Sequence, residues 1–579
     1  MRDLIARYGF GSCGMRAACE TSAAADWVSG KVTKASANQA CQWPSVCSGR
    51  FDQDAISAIN MRGKTGLIQW SHALALSSQR TERECVLNSD TSCMDYAKCR
   101  LCTFMVIATV AYAAVNVYAA ATSSISQFGV TFRFAQPVVY GTFANNDYWV
   151  LAPVTIVEMT PDWDGTKNGW EVNPKCVVEQ GFDARGPNYS VSKRPALPLT
   201  LTTNCSLVKV IGNSSSVDGS YVNTAVVLTV LAEEPPDHGA SCFRPPYSGD
   251  AKPLIFTNAL RTALLPRYPM PPSAVSLDEV RKNFSKCLRM DHHPRQPRAF
   301  RPTSAMAGYQ PENALALNEA MLRLMGDDPP SVRWPALLMF TQHALDRAFV
   351  ILQGYRRWDN GHNPNHRVLG AWAAILLDLP EVQNNLRIAE EFHEDIYLYE
   401  SPIDRRALWG EASSEKQYWN YIMGLGGSRS NRDPYGFIDG GRLSDASGAA
   451  YQVITSQSLK GQALVYRLFA ELRSVVPMHR LVILDRYAER WVTHGVWALP
   501  DPVAAFDGEA SNYGVTFGPD GKGSFIKGNG RFPSVHGVNA DGGQYKSRFV
   551  ADMWQSYGTK SWVSTPPRAP KPEIGATQR

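Results

Sequence analysis

Residues 358–378, WDNGHNPNHRVLGAWAAILLD, join a polar loop to an apolar run that is long enough to form a helix. Pro364 disfavours a helix before it, and the uninterrupted run that follows predicts a buried helix beginning near His366. Loops held by rigid elements often carry functional side chains, and helix N-termini favour anionic groups. The stretch therefore predicts a helical domain with a functional site at the start of one helix. A capping loop with solvated histidines is the alternative interpretation.

Helical periodicity continues on both sides of this stretch and predicts an α-helical domain over residues 312–500. Apolar residues recur at helical spacing in segments bounded by glycine or proline, namely 312–326, 334–355, 366–379, 459–476 and 479–497. Residues 381–400 are predicted to be helical in part. No fixed-length self-similarity is visible, so the sequence does not support a helical repeat array.

Residues 125–247 show a different pattern, with short β-branched and aromatic runs between turn-forming clusters. The runs are 128–134, 147–160, 206–212 and 223–232, and their spacing predicts an antiparallel β-sandwich-like domain. The whole chain is therefore predicted to be an α+β multidomain protein, with the sandwich-like domain first and the α-helical domain second. Three further segments are predicted: a Pro-rich linker over 248–311, a Gly-rich loop or cap over 501–560, and a disordered tail over 561–579.

The composition excludes some classes of partner. The chain has 579 residues and a net charge of +5, which is small for this length, and no Lys/Arg-dense stripe is present. Nucleic acid is therefore not a predicted partner. The 15 tryptophans and 23 tyrosines supply flat faces suited to stacking on sugar rings, although most of them are expected in the core.

Residues 94–121 predict export. Lys98 and Arg100 precede an uncharged apolar run that ends in small residues, which is typical of a secretory signal. Translation from Met94 would make residues 1–93 a non-native extension, whereas translation from Met1 would let residues 101–121 act as a membrane anchor. A secreted or extracytoplasmic protein is expected either way. Four cysteines follow the signal, and in an oxidising compartment they predict two disulfides: Cys176, Cys205, Cys242 and Cys287.

An exported chain with a sandwich-like domain and aromatic-rich helices resembles secreted carbohydrate-active enzymes built on an (α/α) toroid, including heparinase-like and alginate-lyase-like polysaccharide lyases. The resemblance is architectural and covers about residues 125–560. It implies an incomplete toroid over 312–500 and a β-elimination at a uronic acid, in which Asn, His, Tyr and Arg side chains carry the reaction. The predicted partner is a polysaccharide, and a membrane is a partner only if residues 101–121 are retained as an anchor.

Proton abstraction beside a carboxylate needs donors that neutralise that carboxylate, a base for the proton and an acid for the leaving oxygen. Asn360 and Arg367 are predicted carboxylate ligands, His362 a base or charge neutraliser, and Tyr421 the acid. Further catalytic candidates are His393 and the pair His536 and Tyr545. The predicted substrate-binding residues are Trp358, Asn363, His366, Trp419 and Arg531.

Two other classes of function remain open from the sequence. An inverting glycoside hydrolase needs two carboxylates, for which the candidates are Glu391, Glu394, Asp395 and Glu411. The first three are predicted to share one face of a helix. A non-catalytic glycan-binding or cell-surface protein is the other alternative. No cofactor is predicted; a divalent metal on His362, His366, His393 and Asp395 is conceivable, but Pro364 interrupts the helical spacing that such a site uses.

Overall fold

The computed structural model describes residues 121–290, 292, 298–307, 310–354, 365–400, 407–409, 446–494 and 547–559. These residues all belong to one compact unit, which begins at Val117. Within this part of the chain, a β domain precedes a helical region, so the predicted combination of α and β structure in that order is confirmed.

The β domain is built on one curled, mixed sheet that forms a half-barrel. Its strands are β1 (Ala121–Gln127), β2 (Val130–Thr142), β3 (Tyr148–Leu151), β4 (Val154–Thr160), β5 (Trp170–Val172), β6 (Leu199–Leu201), β7 (Cys205–Val217) and β8 (Ser220–Leu231). The strand order is β5-β7-β8-β3-β2-β4-β6, and β1 also pairs with β2. Two short strands, β9 (Cys242–Phe243) and β10 (Ile255–Phe256), form a separate ribbon.

The long strand β2 explains why the sheet is continuous, whereas two facing antiparallel sheets were predicted. Its first part pairs with β4 from Thr131 to Phe134, and its last part pairs with β3 from Tyr140 to Thr142. One strand therefore carries the sheet around the bend. The prediction of purely antiparallel pairing is wrong, because β3 and β8 run parallel.

The sheet is buried on both faces of β7 and β8. Leu207 and Leu228 belong to the core inside the curl. Val208 and Val227 point to the other face and pack in a cluster that includes Val350 of the helical region. Strands that are covered on both faces have nearly continuous apolar sequences, and residues 206–212 and 223–232 show this pattern. This second core joins the sheet to the helices.

The helices are α1 (Leu277–Ser285), α2 (Gln310–Leu324), α3 (Pro330–Leu352), α4 (His366–Leu376), α5 (Pro380–Ile388), α6 (His393–Tyr397), α7 (Ala446–Leu468), α8 (Met478–His494) and α9 (Arg548–Tyr557). α3 packs against α1 and α4, and α7 packs against α2 and α8. The predicted helix after Pro364 is confirmed as α4, which is buried along its whole length around Trp372. No helix among the described residues is long and apolar enough to cross a membrane.

The prediction that residues 381–400 are helical in part is confirmed: α5 ends at Ile388, α6 begins at His393, and the strand β11 (Leu398–Glu400) follows and pairs with β12 (Ala407–Trp409). Two disulfides were predicted, but none joins the four cysteines of the described region to one another: Cys176, Cys205, Cys242 and Cys287.

Candidate functional site

The start of α4 lies inside the protein. Asn365, which precedes the helix, adopts a left-handed conformation with φ of 82° and donates a hydrogen bond from Nδ2 to the Ala314 carbonyl at 2.7 Å. His366 and Arg367 follow it and are both buried. The described residues at this helix start therefore connect to other helices and do not form a surface rim.

Arg367 binds carboxylates of the protein itself. Its guanidinium holds Asp395 with two hydrogen bonds, one of them from Nη1 to Oδ1 at 2.9 Å, and Nη1 also lies 3.4 Å from Glu394. Nη2 donates to the Ala389 carbonyl at 2.8 Å. Burial alone would lower the pKa of Arg367, but Glu394 and Asp395 outweigh it and raise that pKa. Its charge is therefore committed to internal partners, whereas the sequence predicted a substrate carboxylate.

Three of the four carboxylates predicted for a hydrolase were expected to share a helical face, but they do not. Glu391 is exposed and precedes α6, while Glu394 is buried and the Asp395 side chain is fully enclosed. Asp395 Oδ2 also accepts the Phe392 backbone N–H at 3.0 Å and so caps α6. Burial raises the pKa of Glu394, which accepts a hydrogen bond from Gln462 Nε2 at 3.1 Å. These two carboxylates act as a structural cluster.

His393 begins α6 and is buried, with its ring 4.9 Å from the ring of Tyr397. The remaining residues that the sequence predicted for catalysis or substrate binding lie outside the described residues. They are Trp358, Asn360, His362, Asn363, Trp419, Tyr421, Arg531, His536 and Tyr545, together with the hydrolase candidate Glu411.

A second set of polar side chains surrounds two adjoining cavities where the sheet meets the helices. The outer cavity begins beside the exposed Phe128 and the half-buried Asn145, and its volume, including space open to solvent, is about 370 Å³. The inner cavity is lined by residues of α2, α3 and α4, and its volume, counted in the same way, is about 340 Å³. Arg289, His343 and Asp346 line both cavities. Their narrow parts admit groups about the size of one or two water molecules.

One face of α3 supplies much of the inner wall. His343, Asp346, Arg347 and Val350 stand at positions i, i+3, i+4 and i+7 and all line the inner cavity. The other polar residues of the wall are Tyr247, Arg289, Asn313 and His366. Helical spacing therefore brings a histidine, an aspartate and an arginine to one place.

His343 is held as a neutral imidazole. Burial lowers the pKa of its ring well below 6.5, and the charges of Arg289 and Arg347 lower it further. The ring hydrogen-bonds to the backbone of Arg289, whereas Nδ1 is buried and has no hydrogen-bond partner. The bonded nitrogen is therefore Nε2, which favours the tautomer with hydrogen on Nε2 and an unprotonated Nδ1. Burial also lowers the pKa of His366 well below 6.5.

Arg289 is a buried cation whose partners are all neutral. Nη1 donates to the carbonyl and the side-chain oxygen of Asn283, at 3.2 and 3.1 Å, and to the Ala305 carbonyl, while Nη2 donates to Asn313 Oδ1. Burial lowers the pKa of Arg289 to about 10. Among the described residues no carboxylate pairs with this guanidinium. A buried charge without a counter-charge costs several kcal/mol, which marks this position as unusual.

The neighbouring Arg244 is fully compensated. It donates from Nε to Asp147 at 2.6 Å and from Nη2 to Asp346, and burial alone would lower its pKa, but these two carboxylates raise it. Asp147 belongs to the β domain and Asp346 to α3, so this ion triad fixes the sheet to the helices beside the cavity. The same wall thus holds one arginine with two carboxylates and one with none.

The sequence predicted only His366 among the residues that line the inner cavity. The segment QHALDR at 342–347 carried a usable signal, because three polar residues at helical spacing interrupt an otherwise apolar helix. Three other residues of the wall come from separate parts of the chain: Tyr247 from a Pro-rich segment, Arg289 from the segment after α1, and Asn313 from α2. Only the folded structure brings them together, so no local sequence pattern predicts it. No group of His, Cys, Asp and Glu residues with the arrangement of a metal site occurs in the part of the chain that the structure describes.

Comparisons with models of protein families, with curated proteins and with solved structures gave no match for this chain.

Proposed function

We propose that the protein is a secreted enzyme that cleaves a uronic-acid-containing polysaccharide by β-elimination. One observation carries this proposal: the inner cavity brings together Tyr247, Asn313, His343, Arg347 and His366. These are the residue types that the reaction needs, namely a base, an acid and donors that neutralise a carboxylate.

His343 is the proposed base. Its Nδ1 has no hydrogen-bond partner and is unprotonated at neutral pH, because burial keeps the pKa of the ring well below 6.5. In the reaction, Nδ1 takes the C5 proton of the uronic acid, and the C5 electron pair forms a double bond to C4. The bond from C4 to the leaving oxygen breaks, and that oxygen takes a proton from an acid. Tyr247 lines the same cavity and is the proposed acid among the described residues.

The narrow part of the inner cavity matches a carboxylate and is too small for a sugar ring. In this proposal the carboxylate enters and the sugar ring stays on the side of the outer cavity, so the C4 oxygen must lie at the mouth of the inner cavity for the Tyr247 hydroxyl to reach it. Guanidinium donors then stabilise the negative charge that develops on the carboxylate when the C5 proton leaves. Such donors act most strongly in a site with little water, as here.

Several predictions from the sequence belong to the same proposal. Such an enzyme is expected to be exported through residues 94–121 and to combine a sandwich-like β domain with an incomplete (α/α) toroid. His362 and Tyr421 remain predicted proton-transfer residues and are tested beside His343 and Tyr247. An inverting hydrolase would need free carboxylates, whereas Glu394 and Asp395 bind Arg367.

The test incubates the purified protein with polymers of glucuronate, galacturonate, mannuronate and guluronate, with neutral glucans as controls. Ultraviolet absorbance reports the new C=C bond, and a reducing-end assay reports all cleavage. The proposal expects both signals to rise together on at least one acidic polymer and on no neutral polymer. Reducing ends without absorbance would replace elimination by hydrolysis.

The variant His343→Gln removes the base and is expected to lower the rate on the active polymer at least 100-fold, in line with the usual contribution of a general base. His479→Gln is the matched control, because His479 is exposed on α8 and pairs with Glu390 at 3.3 Å. An unchanged rate in His343→Gln would move the base to another residue, and parallel His362→Gln kinetics would show whether it is His362.

A further inference from the structure

We infer that Arg289 forms a binding site for one small carboxylate at the boundary between the outer and inner cavities. The side chain is 4% exposed and lines both cavities. The inference concerns binding of the anion and does not need the reaction to occur. It rests on the proposed function only for naming a uronic acid as the source of the carboxylate.

The guanidinium is fixed before any ligand arrives. Asn283 lies on α1, Ala305 lies between α1 and α2, and Asn313 lies on α2, so acceptors from three places hold Nη1 and Nη2. The guanidinium carbon of Arg289 also lies 4.5 Å from the ring centre of Phe284. A group held from several sides loses little further freedom when it binds a ligand.

One edge of this guanidinium is not fully hydrogen-bonded. Nε and Nη2 share an edge of the planar group, and Nε is buried without a hydrogen-bond partner. Nη2 carries two hydrogens and donates to one acceptor, Asn313 Oδ1. Two parallel N–H groups on one edge match the two oxygens of a carboxylate, which is the geometry of the strongest arginine–anion pairs.

The size and charge of the surroundings select the ligand further. The narrow parts of the two cavities are close in size to a carboxylate and smaller than a sugar ring. The described charges of the two walls are Arg244, Arg289 and Arg347 against Asp147 and Asp346, so one negative charge compensates the remaining positive charge. A small carboxylate is therefore a better fit than phosphate or sulfate.

The experiment measures binding to the full chain by isothermal titration calorimetry, with acetate, D-glucuronate, sodium sulfate and D-glucose as probes. Acetate and glucuronate are expected to bind, and glucose and sulfate are expected to bind at least tenfold more weakly. Arg289→Gln removes the charge and should weaken carboxylate binding at least tenfold. Arg333→Gln is the matched control, because Arg333 is also a buried arginine that donates to backbone carbonyls, at 3.1 and 3.0 Å, and it lines neither cavity.

A second variant covers the case in which Arg289→Gln does not fold. Arg289→Lys keeps the charge and loses the two-donor edge, so carboxylate binding should fall by about fivefold or more. Tighter binding of glucuronate than of acetate assigns the site to a sugar acid, and the reverse assigns it to a free small acid. Equal binding in the wild type and in both Arg289 variants, or equal binding of sulfate and glucuronate, would overturn the inference.

The outcomes also separate this site from the proposed function. Carboxylate binding that depends on Arg289, without cleavage of any acidic polymer, retains the site and removes the lyase. Cleavage that continues unchanged in Arg289→Gln shows that the lyase does not use this site, and the calorimetric result alone then decides whether the site exists.

Discussion

The Arg367 cluster allows a direct test of whether this residue stabilises the fold or binds substrate. Replacing Arg367 by Met leaves Asp395, whose side chain is fully enclosed, and the buried Glu394 without their common cation. Breaking a buried ion pair from one side typically costs 3–5 kcal/mol. Loss of the hydrogen bond to the Ala389 carbonyl acts in the same direction. We therefore expect the free energy of unfolding to fall by about 4 kcal/mol.

Urea-induced unfolding followed by circular dichroism measures this change. Arg548→Met is the matched control, because Arg548 is an exposed arginine on α9 that pairs with Asp552 one turn along the same helix at 2.8 Å, and a surface change of this kind is expected to stay within about 0.5 kcal/mol. The double variant Arg367→Met with Asp395→Leu should recover part of the loss, since an apolar pair often replaces a buried ion pair at little cost, but Glu394 still lacks its cation and α6 loses its Asp395 cap. A loss below about 1 kcal/mol in Arg367→Met, with a large fall in substrate binding, would refute the structural role.

Three other predictions concern pH and packing. Burial lowers the pKa of His343 and His366 well below 6.5, so the stability that their neutral forms allow is present above pH 6.5 and is lost as pH falls, by up to about 1.4 kcal/mol per pH unit for each histidine. In urea unfolding from pH 7.5 to 5.5, the free energy of unfolding should fall less in His343→Gln than in the wild type, and an equal fall in both proteins would contradict this. Burial raises the pKa of Glu171 to about 7, so its folded form keeps a proton that the unfolded form releases from about pH 4.5, and stability is lost as pH rises between these values. The free energy of unfolding of Glu171→Gln, relative to that of the wild type, should therefore rise by about 2–3 kcal/mol between pH 4.5 and 8. No change in this difference would mean that Glu171 is charged in the folded protein. A methyl group at Gly461 would lie 2.3 Å from Asn318 Nδ2 on the facing helix, so Gly461→Ala should cost about 1–3 kcal/mol in urea unfolding, and an unchanged midpoint would show that α2 and α7 have room to adjust.

The sequence predicted the elements of the fold better than their assembly. Period-3.6 patterns found α2, α3, α4 and α8, because each is long and has an apolar face that the core requires. The β-branched and aromatic runs found β2, β3, β4, β7 and β8 for the same reason, whereas β1, β5 and β6 lie outside them. They did not reveal that β2 continues around the bend or that β3 pairs in parallel with β8, because pairing between distant strands leaves no local pattern.

The candidate site was less accessible from the sequence. A loop rich in His, Asn and Arg next to a helix suggested Arg367 as a substrate ligand, but the two carboxylates at 394 and 395 lie within reach of its guanidinium after folding. A sequence does not show which of two nearby charges will pair. Arg289 stood out even less, because its unusual property is the absence of a carboxylate among its described partners, and such an absence appears only when the surroundings are assembled.

The most direct test of the proposed elimination follows oxygen in the products. An active acidic polymer is digested in oxygen-18-labelled water, and the oligosaccharides are analysed at once by mass spectrometry. Elimination adds no water, so we predict unsaturated products without the label and lighter by one water than hydrolysis products. Saturated products that carry one labelled oxygen per cleavage would contradict elimination and show that the protein hydrolyses its substrate.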